Sequence, residues 1–490
     1  MRTRRGGSHR PDAAQLRLMR SRSELLSTLA YAAMILAAIA IFLIVRDYGE
    51  TLVAPAPQTS AAVSPEPAER PQANTLSHVL LALAAVVVIG RLLGSAFARI
   101  GQPPVIGEVL GGIVLGPSLL GRVAPDVAAY VLPVAVAPYL SVVAQLGVIL
   151  YMFLVGLDLN LDPLRSRARA VVATSHASIL APFVLGSLLA LYLYPRVSTN
   201  DVPFTSFALF MGVAMSITAF PVLARILSDR GMTRSELGVI ALACAAADDV
   251  TAWCLLAFVV GVVQSEVGGA LLVAVSTLGF IAVMFFAVKP LVAKLVHRRG
   301  NGSAGQGTVA LVLVLMLLSA LTTEQIGVHA VFGAFLFGAI VPRETGLPRV
   351  LTGRLEDLVT ILLLPAFFAF TGMRTEISLV STAAEWAMCL LIIAVATIGK
   401  FGGTLVAARL TGMNWPGAAG LGILMNTRGL MELIVLNIGL DLGVISPALF
   451  TMMVIMALVT TIATTPLLEM LGGGILTVPA SQTREYERRR

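Results

Sequence analysis

Long apolar runs alternate with short polar islands along almost the whole chain. Fourteen runs lie near 25–45, 76–99, 104–121, 138–160, 170–194, 204–228, 235–263, 268–296, 307–323, 327–343, 356–375, 383–408, 416–440 and 446–471. Most are about 20 residues long, the length at which a helix crosses the hydrocarbon core, whereas a barrel strand would show about ten residues of strict alternation. A helix satisfies its own backbone polar groups in lipid. The pattern therefore predicts an all-α polytopic membrane protein with about 13–14 transmembrane helices. One run carries its own interruption. In "SITAFPVLARIL", Pro221 has no N–H and clashes with the carbonyl of Ile217, so the span 204–228 should break there, beside the hydroxyls of Ser216 and Thr218.

Composition agrees with a membrane reading. Of 490 residues, 57% are apolar and 12% charged, against about a quarter charged in soluble proteins, and the mean hydropathy is +0.89. The net charge of +7 does not point to nucleic acid, because the basic residues sit between apolar runs, as in cytoplasmic loops. With the N-terminus inside, the inner loops hold Arg99, "RSRAR" at 165–169, Arg225, Arg230, Arg234, "KLVHRR" at 294–299, Arg343, Arg349, Arg354, Arg409 and the tail "REYERRR". That distribution places both termini on the cytoplasmic side of the plasma membrane. Cys244, Cys254 and Cys389 all lie inside apolar runs, without metal-ligand spacing or an even count for disulfides.

The first run follows the basic segment 1–24. It reads as an extra transmembrane helix, or as a signal peptide with "APA" at 54–56 as the cleavage site; its length exceeds a signal core of roughly 7–15 residues and favours the helix. A Pro/Ala-rich external linker at 46–75 and a short basic cytoplasmic tail at 472–490 complete the periphery. Between them the chain repeats itself. "VIGEVLGGIV" (105–114) matches "VFGAFLFGAI" (331–340), "YMFLVGLDL" (151–159) matches "FFAFTGMRT" (367–375), and "GVAMSIT" (212–218) matches "GILMNTR" (422–428), at offsets of 226, 216 and 210. The units are 76–263 and 307–471, six spans each. A single linking helix at 268–296 inverts the second relative to the first, an arrangement that in secondary transporters places the site at the repeat interface near the midplane.

Charges inside a bilayer mark function by default. Asp248 and Asp249 stand at the centre of the span 235–263, in "ALACAAADDVTAWCLLAF". Neighbours on a helix point about 100° apart, so the two carboxylates meet different surroundings. Such a carboxylate holds either a proton or a small cation. Lys400, in "TIGKFGGT", is the candidate counter-charge. In "MNTRGLME", Asn426 and its neighbours would interrupt the span 416–440, while Arg428 and Glu432, four apart, can pair on one face as a structural or gating element. Glu108, in "PVIGEVLGG", is a further membrane acid near the inner end of its span, and Asp158 reads as interfacial.

The segments "MSITAFPVLARIL", "AADDVTAWCLL", "GKFGGT" and "LMNTRGLMELIVLNIGLDLGVIS" resemble the monovalent cation:proton antiporter-2 family, in order and over about residues 76–471. The resemblance implies two inverted six-helix repeats with two crossed broken helices in a core domain, plus a dimerisation domain, in a homodimer. It implies that Asp249 is the carboxylate that binds ion and proton, that Asp248 is its variable neighbour, that Lys400 pairs with the carboxylate site, and that Thr218 belongs to the first broken helix. Only about 19 residues follow the last span, so the regulatory nucleotide-binding domain of the potassium-efflux branch is not expected, and neither is any cofactor.

The function expected is exchange of Na⁺ or K⁺ for H⁺ by alternating access, not an enzymatic reaction, with Asp248 and Lys400 tuning the competition and setting the charge moved per cycle. A gated monovalent cation channel or efflux system is the alternative. An intramembrane aspartyl protease would need its two acids on different helices sharing one water, which adjacent residues do not provide.

Overall fold

The computed structural model describes residues 13–55, 75–158, 162–199, 201–233, 235–264, 267–298, 305–342 and 346–471. Most of the linker expected at 46–75, half of the basic N-terminal segment and the whole tail 472–490 lie outside the described residues. Within them, all regular structure is helical. Twelve helices are long and apolar enough to cross a membrane, and a further span comes from a pair bent by 42°.

The principal helices are α1 (Ala13–Gly49), α2 (Thr75–Arg99), α3 (Pro104–Leu115), α4 (Ala137–Asp158), α5 (Asp162–Val197), α6 (Phe204–Ser216), α7 (Phe220–Asp229), α8 (Glu236–Gln264), α9 (Val267–Val283), α10 (Gln306–Ile326), α11 (Ala330–Ile340), α12 (Leu364–Met373), α13 (Ala383–Leu410), α14 (Trp415–Met425), α15 (Leu430–Asp441) and α16 (Pro447–Leu471). Each of the fourteen predicted runs contains a helix, with one difference. The run 327–343 forms only the 11-residue α11, about 16 Å long at 1.5 Å per residue and too short to cross the core as a straight helix. Its ends are set locally. Gly327 takes a left-handed φ of 92° that terminates α10, the His329 side chain accepts from the Val331 N–H at the start of α11, and Val341 turns extended before Pro342.

The helices sort into two groups. In the first, α2, α3, α4, α10, α11 and α12 pack together, with α3 on α12 and α11 on α4. Both crossings depend on glycine pairs. A methyl group on Gly156 would strike the Phe335 carbonyl and the Gly338 Cα, and one on Gly372 would strike the Gly112 main chain. Gly112 and Gly338 are related by the 226-residue offset of the repeat, and Gly156 and Gly372 by the 216-residue offset. The two close crossings thus pair residues at the same sequence offsets. Small residues let helix backbones approach where apolar burial alone gives no drive, since lipid is equally apolar. Gly338→Val should therefore destabilise the protein by roughly 1–3 kcal/mol, seen as a lower thermal midpoint in detergent. Gly353→Ala, inside a helix and with no atom near the added methyl, should leave the midpoint in place or raise it.

The second group holds α5, α6, α8, α13, α14, α15 and α16, with α7 against α8. The extra helix α1 docks on this group through α5 and α6. Tyr31 meets His176 edge-on at 5.5 Å, and the Thr205 hydroxyl donates to Glu50 at 2.9 Å.

Candidate functional site

The site forms where two helices are interrupted. α6 stops at Ser216, Ile217 turns extended, and α7 begins at Phe220 with Pro221 in its first turn. There a missing N–H goes unfelt, because the first N–H groups of a helix have no intrahelical partner. The second interruption spans Asn426 to Gly429, between α14 and α15. The two breaks touch through their main chains, the Ala219 N–H donating to the Thr427 carbonyl at 3.0 Å.

Interrupting α6 leaves its final carbonyls without intrahelical donors, at the negative end of the helix dipole. Two buried cations fill that need. Arg428 donates to the carbonyls of Ala214 (3.1 Å) and Met215 (2.6 Å), and Lys400 to that of Ser216 (2.5 Å). Arg428 also donates to Glu432 at 2.7 Å, one turn along α15. Its own main chain is tied to Thr461 on α16, whose hydroxyl donates to the Arg428 carbonyl and accepts from the Arg428 N–H. Arg428 and Glu432 are therefore a clamp between the two broken helices.

Asp248 and Asp249, both on α8 and both buried, have opposite surroundings. Asp248 Oδ1 accepts from Ser175 at 2.5 Å. Its Oδ2 accepts from Ser178 at 2.8 Å, Thr218 at 2.9 Å and Lys400 at 2.9 Å. Lys400 has no exposed surface, so it does not reach toward the interface. It projects from a five-residue π-helical turn, Ile398–Gly402, in α13; such turns rephase the side chains of a helix and recur at functional sites. Asp249 has neither oxygen hydrogen-bonded. The indole Nε1 of Trp253, one turn further on, and the Asn426 side-chain oxygen are likewise buried without partners. Buried polar atoms are nearly always satisfied, and an unpaired carboxylate is the costliest exception. Glu432 also has one unpartnered oxygen, Oε1, but its other oxygen accepts from Arg428, so among the described residues Asp249 is the buried carboxylate with both oxygens free of hydrogen bonds.

Several predicted residues converge and others do not. Asp248, Lys400 and Thr218 share one network, and Thr218 serves Asp248 rather than Asp249. The Ser216 hydroxyl is turned to the carbonyls of Gly212 and Ile179, so Ser216 contributes its main-chain oxygen and not its side chain. Glu108 belongs to the first group, half-buried against Gly90 and Gly94 of α2, and shares no hydrogen bond with the aspartates among the described residues. Ser175 and Ser178 were missed by sequence reasoning. A signal was present: two serines three apart in "ATSHAS" lie on one face within the apolar span 170–194. A small crevice between the groups, lined by Val105, Ile106 and Val109 of α3 and by Arg428, Gly429 and Leu433, lies against the second break.

An all-helical membrane protein whose interrupted helices meet at a buried acid and its counter-cation has the architecture of a secondary transporter. The chain belongs to the family described as sodium/hydrogen exchanger, transmembrane, whose model matches residues 82–470. It is 44% identical over 397 residues to the Na(+)/H(+) antiporter NhaS4 of Synechocystis, covering 80% of this chain and 97% of that one. It is 38% identical over 404 residues to cation/H(+) antiporter 19 of Arabidopsis thaliana and 31% identical over 409 residues to K(+)/H(+) antiporter 1 of Saccharomyces cerevisiae. In those two longer proteins the match spans 50% and 46% of the length. Its fold is similar to that of the sodium proton antiporter MjNhaP1 from Methanocaldococcus jannaschii, with a TM-score of 0.63 at 16% identity, covering 82% of this chain and 99% of that structure. Helix α1 lies before the matched family region.

Proposed function

We propose that the protein exchanges a monovalent cation, Na⁺ or K⁺, for protons across the plasma membrane, and that Asp249 carries the two in turn. The observation that carries this reading is a buried carboxylate without a partner, one residue from a carboxylate held by four donors. A proton and a cation compete for a single acid, so one must leave before the other enters, and coupling follows from that competition. The printed names of the relatives, which include Na(+)/H(+) and K(+)/H(+) antiporters, support the same class of cargo.

In this reading the units 76–263 and 307–471 are inverted repeats, the second helix group carries the site, and the first provides a fixed wall and the contact for a homodimer. The wall and the moving group alternate a cleft between the two membrane faces. Both termini face the cytoplasm. The Asp248–Lys400 pair sets how much charge accompanies each turnover.

Proteoliposomes with an imposed pH gradient and an internal pH dye test the proposal. Adding Na⁺ or K⁺ should collapse the gradient in a saturable, cation-dependent way. A gradient indifferent to every alkali cation would overturn it, and unitary current steps in a bilayer recording would favour the channel alternative. The same vesicles under a clamped voltage give the charge stoichiometry: exchange of two protons per cation responds to voltage, and exchange of one does not.

A further inference from the structure

Outside the aspartate network, a second polar cluster joins the two helix groups at one end of the molecule. Arg374 follows the last turn of α12, in the first group. Its guanidinium donates to Asp441 at 2.5 Å and to the Asn437 side-chain oxygen at 3.0 Å, both on α15 in the second group. Asn437, itself buried, donates to the Thr371 hydroxyl of α12 at 2.8 Å. Just beyond, the Glu376 N–H donates to the Thr451 hydroxyl of α16. These bonds all run between the groups, so any motion that parts α12 from α15 must break them together.

The sequence offsets give this charged set no equivalent in the first unit. By the offsets of 216 and 210, the counterparts of Thr371, Arg374, Asn437 and Asp441 are Val155, Asp158, Leu227 and Gly231. Three of those four have no polar side-chain atom, so the same hydrogen-bonded set cannot form at the opposite end. There, Arg225 pairs with Asp229 in its own helix, and Arg230 pairs with Glu469 of α16, inside the second group. The crevice lined by Val105, Ile106 and Gly429 lies against the second break. A neutral bond joins the groups elsewhere, from the Gln102 side-chain amide to the Ile462 carbonyl of α16 at 3.3 Å, so the α12–α15 end is distinguished by its charge-assisted set.

We propose that Arg374, Asn437, Thr371 and Asp441 form a latch that keeps the α12–α15 end shut and biases the protein toward the conformation with that end closed. This rests on the exchange reading for its consequence, because closing one face sets the face from which cargo enters. With the N-terminus inside, the latched end is the outer one. A ligand's apparent affinity from one face scales with the fraction of molecules open to that face. Releasing the latch therefore moves the two faces in opposite directions, which a general loss of packing does not.

The experiment measures the cation KM separately from each face, in proteoliposomes of defined orientation. Arg374→Ala and the milder Asp441→Asn should lower KM from the latched face by about three- to tenfold and raise it from the other. The charge-exchanged double variant R374D/D441R should restore part of the difference. A KM that moves the same way on both faces, or on neither, overturns the latch. Hydrogen exchange gives a readout independent of transport: amides of 371–380 and 437–446 should exchange faster in Asp441→Asn. Unchanged amides there overturn the latch even if exchange activity is normal. Loss of cation-driven exchange in the unaltered protein overturns the exchange reading instead, and leaves the amide result to decide the latch.

Discussion

Asp249→Asn should abolish cation-dependent proton movement, by about a hundredfold or more, while leaving the protein folded and at least as stable as before. The two halves of this expectation come from the same observation. Neither Asp249 oxygen has a hydrogen-bond partner in the structure, so no bond is lost when the carboxylate becomes an amide of the same shape. Removing a buried group that can ionise without compensation also removes an unfavourable desolvation. In the proposed exchange, the transporting capacity resides in the charge that Asn lacks. Vesicle exchange assays and thermal melts on the same preparation check both halves. Wild-type exchange in the variant would remove Asp249 from its role. A collapse in stability with lost exchange would mean that Asp249 is a structural acid with partners of its own.

Lys400→Met should have the reverse profile, with stability as the primary loss. Lys400 is enclosed between Asp248 and the Ser216 carbonyl, and its removal strands a buried carboxylate and uncovers the end of α6. Breaking one side of a buried pair costs about 3–5 kcal/mol. Asp248→Asn should also destabilise, because it leaves Lys400 buried with less than a full counter-charge. The double variant should lose clearly less than the sum of the two single losses, by an amount within the roughly 0.5–3 kcal/mol measured for contacting residues. Strictly additive losses would show that the pair is not the energetic unit that the 2.9 Å contact indicates. Comparison with Asp249→Asn then separates the two neighbouring acids by thermodynamics alone.

Those two acids also mark how far sequence reading reaches. The hydropathy pattern locates the membrane helices of the described residues, because lipid imposes a length and a composition on each segment, and both are local properties. Pro221 and the "MNTRGLME" segment reveal the interruptions for the same reason, since a missing N–H is decided within one turn. The repeat offsets anticipate the reciprocal glycine crossings, although the sequence does not say which helices cross. The run 327–343 shows the limit of hydropathy: it is apolar over its length, but Gly327 and Pro342 confine its helix to 11 residues.

Partner choice at the site lies beyond that reach. Ser175 and Ser178 reach Asp248 from 73 and 70 residues away, Thr218 from 30 and Lys400 from 152. No periodicity encodes which acid they choose. A rotation of about 100° separates the two carboxylates on α8, and only the packing of α5, α13 and the break against that helix decides that Asp248 receives four donors and Asp249 none. The same holds for Ser216, which supplies a carbonyl where its hydroxyl was expected, and for the latch at Arg374, whose partners lie more than 60 residues away. By itself the sequence determined that this chain spans a membrane as helices, where two of them break, and which charges are placed in oil. The tertiary structure decided which buried carboxylate is hydrogen-bonded and which is not, because hydrogen bonds require a close approach between residues that the chain brings together only by folding.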